Sequence, residues 1–412
     1  MLEGKKVLLG VTGGIAAYKA AYVVRELRRL GAEIEVVMTH AAQEFVGPLT
    51  FETLSGRPVL TDLFEKGKMV GVRHVDVAAS ADLVLVCPAT ANILGKVARG
   101  IGDDLLCTMI MVAGPHKTLF CPAMNSSMWA NPAVQENVSR LKEMGFHFVG
   151  PDYGELASEV EGVGIGRLAD PQRIVSRAKI ALLHSDVLAG THLVISAGPT
   201  EEPIDPVRFI TNASSGKMGY ALAEAALTMN ASVVLVSGPT NLTPPDGVEF
   251  VRVRTALEMH DAVVQAAKGA HGVIMAAAVA DYRPAEVSPQ KIKKNGDKLR
   301  LELVKNPDIL AELGEKKENL CLVGFAVETE NAIANATEKM RRKNLDMIVV
   351  NDPTQEGAGF YTDTNIVTIL TRDGQEIALP RMSKFEVALH IMDEVAVLLG
   401  RKPPRFRQAI EV

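Results

Sequence analysis

The stretch ISAGPTEEPIDPVRFITNASSGKMG, residues 195–219, sets the reading of this chain. It begins as a short apolar strand and breaks at Gly198-Pro199. A polar, Pro-rich loop follows, and Ser214-Ser215-Gly216-Lys217 opens a helix. Ser214 or Ser215 is expected to cap that helix, and the glycine lets backbone approach a ligand. A helix N-terminus carries free N–H groups and a partial positive charge, so it receives anions, and Lys217 adds a full charge. An ordinary capped helix after a connector is the plain alternative, but the loop is longer and more polar than a connector needs.

The same pattern recurs further along the chain. A helical segment over 215–229 leads to the strand SVVLVSGP, and one over 256–268 leads to GVIMAAAVADY. NLCLVGFAVET and DMIVVND are further apolar runs. Such runs alternating with helices predict a largely parallel, doubly wound sheet of Rossmann-like kind. Asp373-Gly374 between two strand-like runs predicts a hairpin. Two basic clusters stand out, KIKK at 291–294 and KMRRK at 339–343. A charge run is usually a solvated face. Here KIKK follows AVADYRP, where a strand ends in Asp281, and an acid beside lysines suits a nucleotide with its metal. Pro307 in KNPDIL is expected at a helix start with exposed N–H groups. No G-x-x-x-x-G-K-[ST] loop is present, which excludes a P-loop enzyme.

The first half opens in the same manner. KKVLLGV reads as a strand, Thr12-Gly13-Gly14 as a turn, residues 15–30 as a helix and IEVVMT as the next strand. That is a βαβ unit with glycines where a doubly wound sheet binds phosphate. The glycine spacing is not that of the dinucleotide fingerprint, and Thr39 rather than an acid ends the second strand. This argues against NAD and leaves flavin mononucleotide open. ADLVLVCPATAN and TLFCPAMN are two buried strands ending in matched Pro-Ala loops. Loops at the carboxyl ends of parallel strands hold ligands, so Thr90, Asn92 and Asn125 are expected to share a pocket. Each Asn taken alone is also an ordinary turn former. Asp170-Pro171 starts the last helix of this half, and SDVLAG, residues 185–190, reads as a linker. The expected domains are therefore 1–189 and 190–412.

Composition narrows the class. With 412 residues, 47% apolar and 23% charged, the chain is expected to form two or three globular domains. A net charge of −5 gives no support to nucleic-acid binding. The four cysteines sit in or beside apolar runs without metal-ligand spacing, and read as reduced thiols of a cytoplasmic protein. No signal-peptide pattern opens the chain, and no apolar run is long enough to span a bilayer.

VTGGIAAYK, PLTFETLSG, HVDVA, PATAN and PAMN, in this order, resemble the flavin-dependent cysteine decarboxylases, over residues 5–171. The resemblance implies a flavodoxin-like domain binding FMN. In that chemistry the substrate thiol is oxidised to a thioaldehyde, carbon dioxide leaves, and the resulting enethiol is reduced. It implies that His74 acts at oxidation and decarboxylation and that Asn125 binds the substrate carboxylate. Gly13, Gly14, Ile15, Ala16, Thr39, Thr90, Ala91 and Asn92 would surround the flavin. There is one departure. The family's lid segment carries a Cys that protonates the intermediate, whereas here it reads LASEVEGVGIGR, with Ser158 at that place and about two extra residues. A hydroxyl is a far weaker acid than a thiol. The glycines of the segment read as a flap over the flavin.

GPTEEPIDPVRFITNASSGKMG, AAVADYRP, KIKK, KNPDIL, GFAVET and KNLDMIVVND resemble the phosphopantothenate–cysteine ligases, over residues 193–397. The order, decarboxylase then ligase, is similar to the fused bacterial enzymes of coenzyme A synthesis. The resemblance implies that CTP with Mg²⁺ activates 4′-phosphopantothenate as an acyl cytidylate, which the amine of L-cysteine attacks. Asn212 would be the catalytic Asn. Ala277, Asp281, Lys291, Pro307, Asp308, Ile309, Leu310, Phe325, Lys339 and Lys343 would contact the nucleotide. No metal ligand is assigned. The family also implies a homo-oligomer, trimeric through the flavin domain and dimeric through the ligase. The expectation is a bifunctional enzyme making 4′-phosphopantetheine. The alternatives are an active ligase whose decarboxylase stalls at the enethiol, and a flavin-binding regulatory subunit.

Overall fold

The structure is a computed structural model that describes residues 1–63, 73–158, 160–293, 299–327, 331–351, 355, 359 and 361–402. Lys294 of the KIKK cluster, Glu159 of the lid segment, Thr329 and Asp352 lie outside the described residues. The chain divides into two compact units, Met1–Leu183 and His184–Val412. The stretch 185–190 is not a free linker. The Ser185 N–H donates to Thr228 O at 2.7 Å, the Leu188 N–H to Met229 O at 2.9 Å, and Leu188 is fully buried. Its apolar Val-Leu-Ala core draws it onto the second unit, so the contact boundary falls before His184.

The first unit runs β1 (Lys6–Val11), α1 (Ala17–Arg29), β2 (Glu33–Met38), α2 (His40–Gln43), α3 (Pro48–Ser55), α4 (Arg73–Ser80), β3 (Leu83–Ala89), α5 (Ala91–Ala98), α6 (Leu105–Ala113), β4 (Thr118–Pro122), α7 (Ser126–Trp129), α8 (Pro132–Glu143), β5 (His147–Phe148), β6 (Asp152–Glu155), β7 (Val163–Arg167) and α9 (Pro171–Leu182). The main sheet is ordered β2-β1-β3-β4-β5 and is parallel throughout. The order reverses between β1 and β3, which is where such sheets open a crevice for ligands. Every residue of β3 is buried, as expected of a strand covered on both faces. α1 buries Ala17, Ala20, Val23, Val24 and Leu27, one helical stripe, and ends in Arg28 and Arg29, which suit its negative end. β6 and β7 form a separate antiparallel hairpin.

The second unit runs β8 (His192–Ala197), β9 (Glu201–Pro203), β10 (Phe209–Thr211), α10 (Lys217–Thr228), β11 (Ser232–Ser237), β12 (Glu249–Arg252), α11 (Ala256–Ala266), β13 (Gly272–Met275), β14 (Tyr282–Pro284), β15 (Leu303–Lys305), α12 (Ile309–Lys316), β16 (Cys321–Val327), α13 (Ala332–Arg342), β17 (Met347–Asn351), β18 (Thr364–Thr371), β19 (Glu376–Ser383) and α14 (Lys384–Leu398). Its sheet is ordered β12-β11-β8-β13-β16-β17-β18-β19. From β12 to β17 neighbours are parallel, and β18 and β19 close the edge antiparallel. The Asp373-Gly374 turn joins that last pair, with Gly374 at φ 89° and its N–H on Thr371 O at 3.0 Å. Both sheets are thus α/β and doubly wound. Among the described residues, no helix is long and apolar enough to cross a membrane.

Candidate functional site

In the first unit the carboxyl ends of β1 and β3 are tied by Thr12, which is buried. Its hydroxyl donates to Pro88 O at 2.8 Å and accepts from the Thr90 N–H at 3.2 Å. A Cβ on Gly13 would lie 2.4 Å from Ala41 Cβ, so only glycine lets the turn lie against α2. A Cβ on Gly14 would meet only Thr90 Cγ2, at 3.7 Å. Thr39 ends β2, caps α2 by accepting from the Ala42 N–H at 3.3 Å, and donates to Val11 O at 3.5 Å. No side chain caps α1 after Ala16 or α5 after Thr90. Gly13, Gly14, Thr39 and Thr90 are therefore brought to one edge of the sheet. Ala16 and Ala91 are half-buried beside them, and Ile15 and Asn92 are exposed.

Asn125 follows β4. Its Oδ1 accepts from the Ser127 N–H at 2.8 Å, and its Nδ2 donates to Glu161 Oε1 at 2.8 Å. Glu161 also accepts from Ser158 Oγ at 3.4 Å, and Ser158 is exposed. The β6–β7 hairpin lies directly on this loop: the Met124 N–H donates to Gly166 O at 2.9 Å. A Cβ on Gly166 would sit 2.1 Å from Met124 O, and one on Gly164 2.8 Å from Ser126 Cβ. Close backbone approach is therefore what these glycines serve in the structure. His74 begins α4. Its Nδ1 is buried with no hydrogen-bond partner among the described residues. Such an atom costs roughly 1–3 kcal/mol unless water or a ligand meets it. No hydrogen bond joins His74 to Asn125 or Ser158 among the described residues.

In the second unit a cavity of ≈ 130 Å³ opens at the carboxyl edge of the sheet. Ser214 to Met218, Ala276 to Ala278, Phe325, Val327, Asn351, Gly359, Asn365 and Lys384 line it. The expected serine cap is not what forms. Gly216 is the N-cap residue of α10, at φ 76°, with no side-chain cap, and Ser214 Oγ accepts from the Gly216 N–H at 3.3 Å instead. The reason is steric. A Cβ on Gly216 would lie 2.7 Å from Thr240 Cγ2 and 3.3 Å from Gly198 Cα, so the loop crosses itself at two glycines and turns left-handed before the helix begins. A Cβ on Gly219 would lie 2.5 Å from Ala197 Cβ, so this glycine lets α10 pack onto β8.

Buried hydroxyls order the wall opposite. Ser196 Oγ accepts from the Ala277 N–H at 3.1 Å and Thr200 Oγ1 from the Ala280 N–H at 3.0 Å. Asn212 is turned to this wall rather than to α10. Its Nδ2 donates to Ala278 O at 3.1 Å and Val279 O at 3.2 Å, so the donors expected to face the helix end are engaged on the alanine segment. Asp205 is buried, and Arg208 beside it, with the N–H groups of Val207, Ile292 and Arg208, holds its carboxyl far below the usual range. The Ile292 N–H donates to Asp205 Oδ2 at 3.2 Å, which anchors the exposed Lys291 next to it. Asp281 is exposed.

The remaining expected nucleotide contacts cluster at α12 and α13. Pro307 precedes the helix rather than opening it, because Asp308 is the N-cap and accepts from the Ala311 N–H at 3.1 Å. Burial works to raise the Asp308 carboxyl, but Lys343, at 2.7 Å, the Ala311 N–H and Lys339 outweigh it and hold it low. Ile309 and Leu310 are core residues, so what they offer a ligand is backbone N–H. Lys339 Nζ donates to Phe325 O at 3.0 Å. Lys217 donates to Asp363 Oδ1 at 2.7 Å and Tyr361 O at 3.1 Å.

Among the described residues the one group of three metal-capable side chains is Asp103, Asp104 and Cys107, in the first unit. Lys96 pairs with both carboxylates, at 2.8 and 3.1 Å, and burial pushes the Cys107 thiol up to about 12. Sequence reasoning missed two residues that touch these sites, Glu161 and Lys384. The Ser383-x-x-Glu386 capping box marks a helix start beside Lys384, but nothing local tells that its amine enters a cavity.

Each of the two doubly wound units thus has a helix without a side-chain cap starting at the carboxyl edge of its sheet, the place where such sheets open to ligands. The family described as Flavoprotein matches residues 1–182, and the one described as DNA/pantothenate metabolism flavoprotein C-terminal domain matches residues 188–398. The Coenzyme A biosynthesis bifunctional protein CoaBC of Bacillus subtilis (strain 168) is 48% identical over 401 residues, covering 97% of this chain and 98% of that protein. The protein of the same description from Escherichia coli (strain K12) is 43% identical over 408 residues, 98% of this chain and 100% of that one. A solved structure of the C-terminal domain of a CoaBC bifunctional protein is 46% identical, covers 52% of this chain and 99% of its own, and gives a TM-score of 0.46. The chain belongs to the CoaBC family of bifunctional coenzyme A biosynthesis proteins.

Proposed function

We propose that this chain makes 4′-phosphopantetheine in two reactions, with the ligase in residues 190–412 and the decarboxylase in residues 1–189. The second unit joins L-cysteine to 4′-phosphopantothenate through an acyl cytidylate, using CTP. The first decarboxylates the product with FMN. The observation that carries the reading is the convergence, at the carboxyl edge of each sheet, of a helix start without a side-chain cap with expected site residues: Thr90 against the turn before α1, and Ala277 and Phe325 in the cavity at the start of α10. Membership of the family across both units supports it, and neither the stalled enzyme nor the regulatory subunit is favoured.

FMN fits the first unit. Gly13 lets the turn lie against α2, Gly14 leaves open space at the start of α1 for a phosphate, and Thr90 has a hydroxyl not spent on capping α5. FMN supplies the two-electron acceptor for the substrate thiol. His74, whose Nδ1 has no protein partner among the described residues, exchanges the proton that leaves that thiol. Asn125 gives up its bond to Glu161 to receive the substrate carboxylate through Nδ2. Ser158 stands at the lid position without an acidic thiol, so proton delivery in the reductive half is slow or is served by another group.

In the ligase, Lys291, Lys339 and Lys343 neutralise phosphate charge, Ala277 and Phe325 line the cleft for the nucleoside, and the N–H groups after Pro307 and Asp308 complete the set. Asp281, which is exposed, would offer a carboxylate to the metal that CTP carries. No cluster of metal ligands forms at this cavity among the described residues, so Mg²⁺ would arrive on the phosphates of CTP. Asn212 exchanges its donors from the alanine segment to the oxyanion that forms when the amine attacks. Exposed Ile15, Tyr18 and Tyr22 on α1 and the turn before it, and Val207 and Phe209 in the ligase, suit self-association of each unit, trimeric and dimeric respectively. Four buried free thiols suit the cytoplasm. The test is incubation with phosphopantothenate, cysteine, CTP and magnesium, followed by mass spectrometry. The cysteine adduct and then its decarboxylated, reduced product are expected. Absence of the adduct sinks the ligase reading.

A further inference from the structure

We infer that Lys384 is a ligand-binding residue of the second unit and, with Lys217, grips the phosphate chain of the nucleotide. This rests on the ligase reading above. Lys384 is the first residue of α14, is only 7% exposed, and lines the same cavity as Ser215, Gly216, Ala277 and Phe325. Burying an ammonium is costly unless oxygens surround it, and cores do not carry such a charge for packing alone.

The oxygens around it identify what it is built to hold. Lys384 Nζ donates to Gly359 O at 3.2 Å and Thr362 O at 2.6 Å. Lys217 Nζ donates to Tyr361 O at 3.1 Å and Asp363 Oδ1 at 2.7 Å. Gly359, Tyr361, Thr362 and Asp363, close together in sequence, thus supply oxygens to both lysines. Two of them line adjoining cavities, Gly359 the first and Tyr361 a larger one of ≈ 780 Å³, and both cavities share Ser214, Ser215 and Lys217. The two ammonium groups flank the opening of α10, whose N-cap Gly216 has no side chain to satisfy the first-turn N–H groups. A string of anionic oxygens placed there would take the bonds that these four residues now occupy. The other end of the cleft, at Ala277 and Phe325, is apolar and suits the nucleoside. A polyphosphate is the ligand whose charge matches two lysines and a helix end together.

The electrostatics agree. Burial, and then the charge of Lys217 on α10, push the Lys384 amine down to about 8, while Asp363 acts in the opposite direction. On its own helix Glu386 is engaged by Ser383, whose Oγ donates to it at 2.7 Å. An anion bound beside Lys384 favours its charged form and raises that value. Binding of a polyphosphate is therefore strongest below about pH 8 and weakens above it, where a proton must be taken up first.

The experiment is calorimetric titration of the full-length protein with CTP and with CMP, in magnesium, across pH 7 to 9.5. Wild type, Lys384→Met and Lys384→Arg are compared. Lys384→Met is expected to weaken CTP tenfold or more, the loss of a charge-assisted bond, and CMP by about threefold at most. Wild-type affinity for CTP is expected to fall by up to about tenfold per pH unit above 8, and Lys384→Arg to bind with no such step, because a guanidinium stays charged. If wild type binds no CTP, the ligase reading itself fails. If wild type binds CTP and Lys384→Met binds it equally well, the inference fails and the ligase reading stands. Should Lys384→Met melt before titration, Lys384→Arg decides, and a retained step above pH 8 overturns the assignment.

Discussion

The starts of α1 and α10 are built in contrasting ways. α1 begins a few residues after β1, so its turn offers backbone only, and Gly13 is pressed against Ala41. α10 begins nearly twenty residues after β8, and the intervening loop carries the β9–β10 pair, the Asp205–Arg208 bracket and Asn212. Neither helix has a side-chain cap. α6, α8, α9, α11 and α14 are capped by Asp104, Asn131, Asp170, Thr255 and Ser383, a stabilisation worth typically about 1 kcal/mol each. α3 and α13 also lack a side-chain cap, so an uncapped start permits a ligand without proving one. The short β1–α1 turn is met by Thr90 of the loop after β3, whereas the long β8–α10 loop carries Asp205, Arg208 and Asn212 of its own.

The largest effect expected from this comparison is at His74. Its replacement by Asn should lower carbon dioxide release by about 10²- to 10⁴-fold, the range for a lost acid–base group, and leave amide formation intact. Trapped carbon dioxide and the mass of the ligation product give the two readings. Loss of both activities in a folded variant would end the separation of sites.

Asn212→Asp comes next. It removes the donor and sets a carboxylate against the carbonyls of Ala278 and Val279. Amide formation should fall about 10²- to 10³-fold, while acyl cytidylate and pyrophosphate still appear. A quenched reaction with and without cysteine measures this. Failure to form the cytidylate while CTP binds normally would move Asn212 to the first step.

The glycines probe the two helix starts directly. Gly13→Ala forces a contact on Ala41 costing about 1–3 kcal/mol, and should reduce bound flavin, read by absorbance, together with the melting temperature. Gly216→Ala is strained at its positive φ by about 1 kcal/mol and meets Thr240. It should raise the KM for CTP without changing flavin content. If either substitution altered the other unit's ligand, the sites would not be independent.

The smallest effect is at the lid. Ser158→Cys should speed reduction of the enethiol or leave it unchanged, since a thiol with pKa about 8.5 is the better acid. More accumulated enethiol, seen by mass, would refute the assignment of Ser158 to the lid position.

Much is legible in the chain because it is locally encoded. Apolar runs such as LVLVC and the Asp373-Gly374 turn fix their own backbone state, and the βα turns mark the ligand edges of both sheets. Where local signals fail, a distant contact overrides them. Propensity favours Ser214 or Ser215 as the cap of α10, but the crossing of Gly198 and Gly216 under Thr240 moves the cap to glycine. The 185–190 stretch has a linker's composition, yet Leu188 finds a core. Of the lid glycines, Gly164 and Gly166 also permit close contact with Ser126 and Met124, which their composition alone does not tell.

Periodicity and turn residues act over a few neighbours, so the chain alone was enough for two α/β sheets and for the turns at their carboxyl edges. Which side chains share a cavity was decided by tertiary packing. Lys384 is far from Lys217 along the chain, yet both bond oxygens of the stretch from Gly359 to Asp363, and Glu161 reaches Asn125 across a hairpin. Such pairings depend on how sheets, helices and loops pack, a relation between distant residues that no local pattern contains.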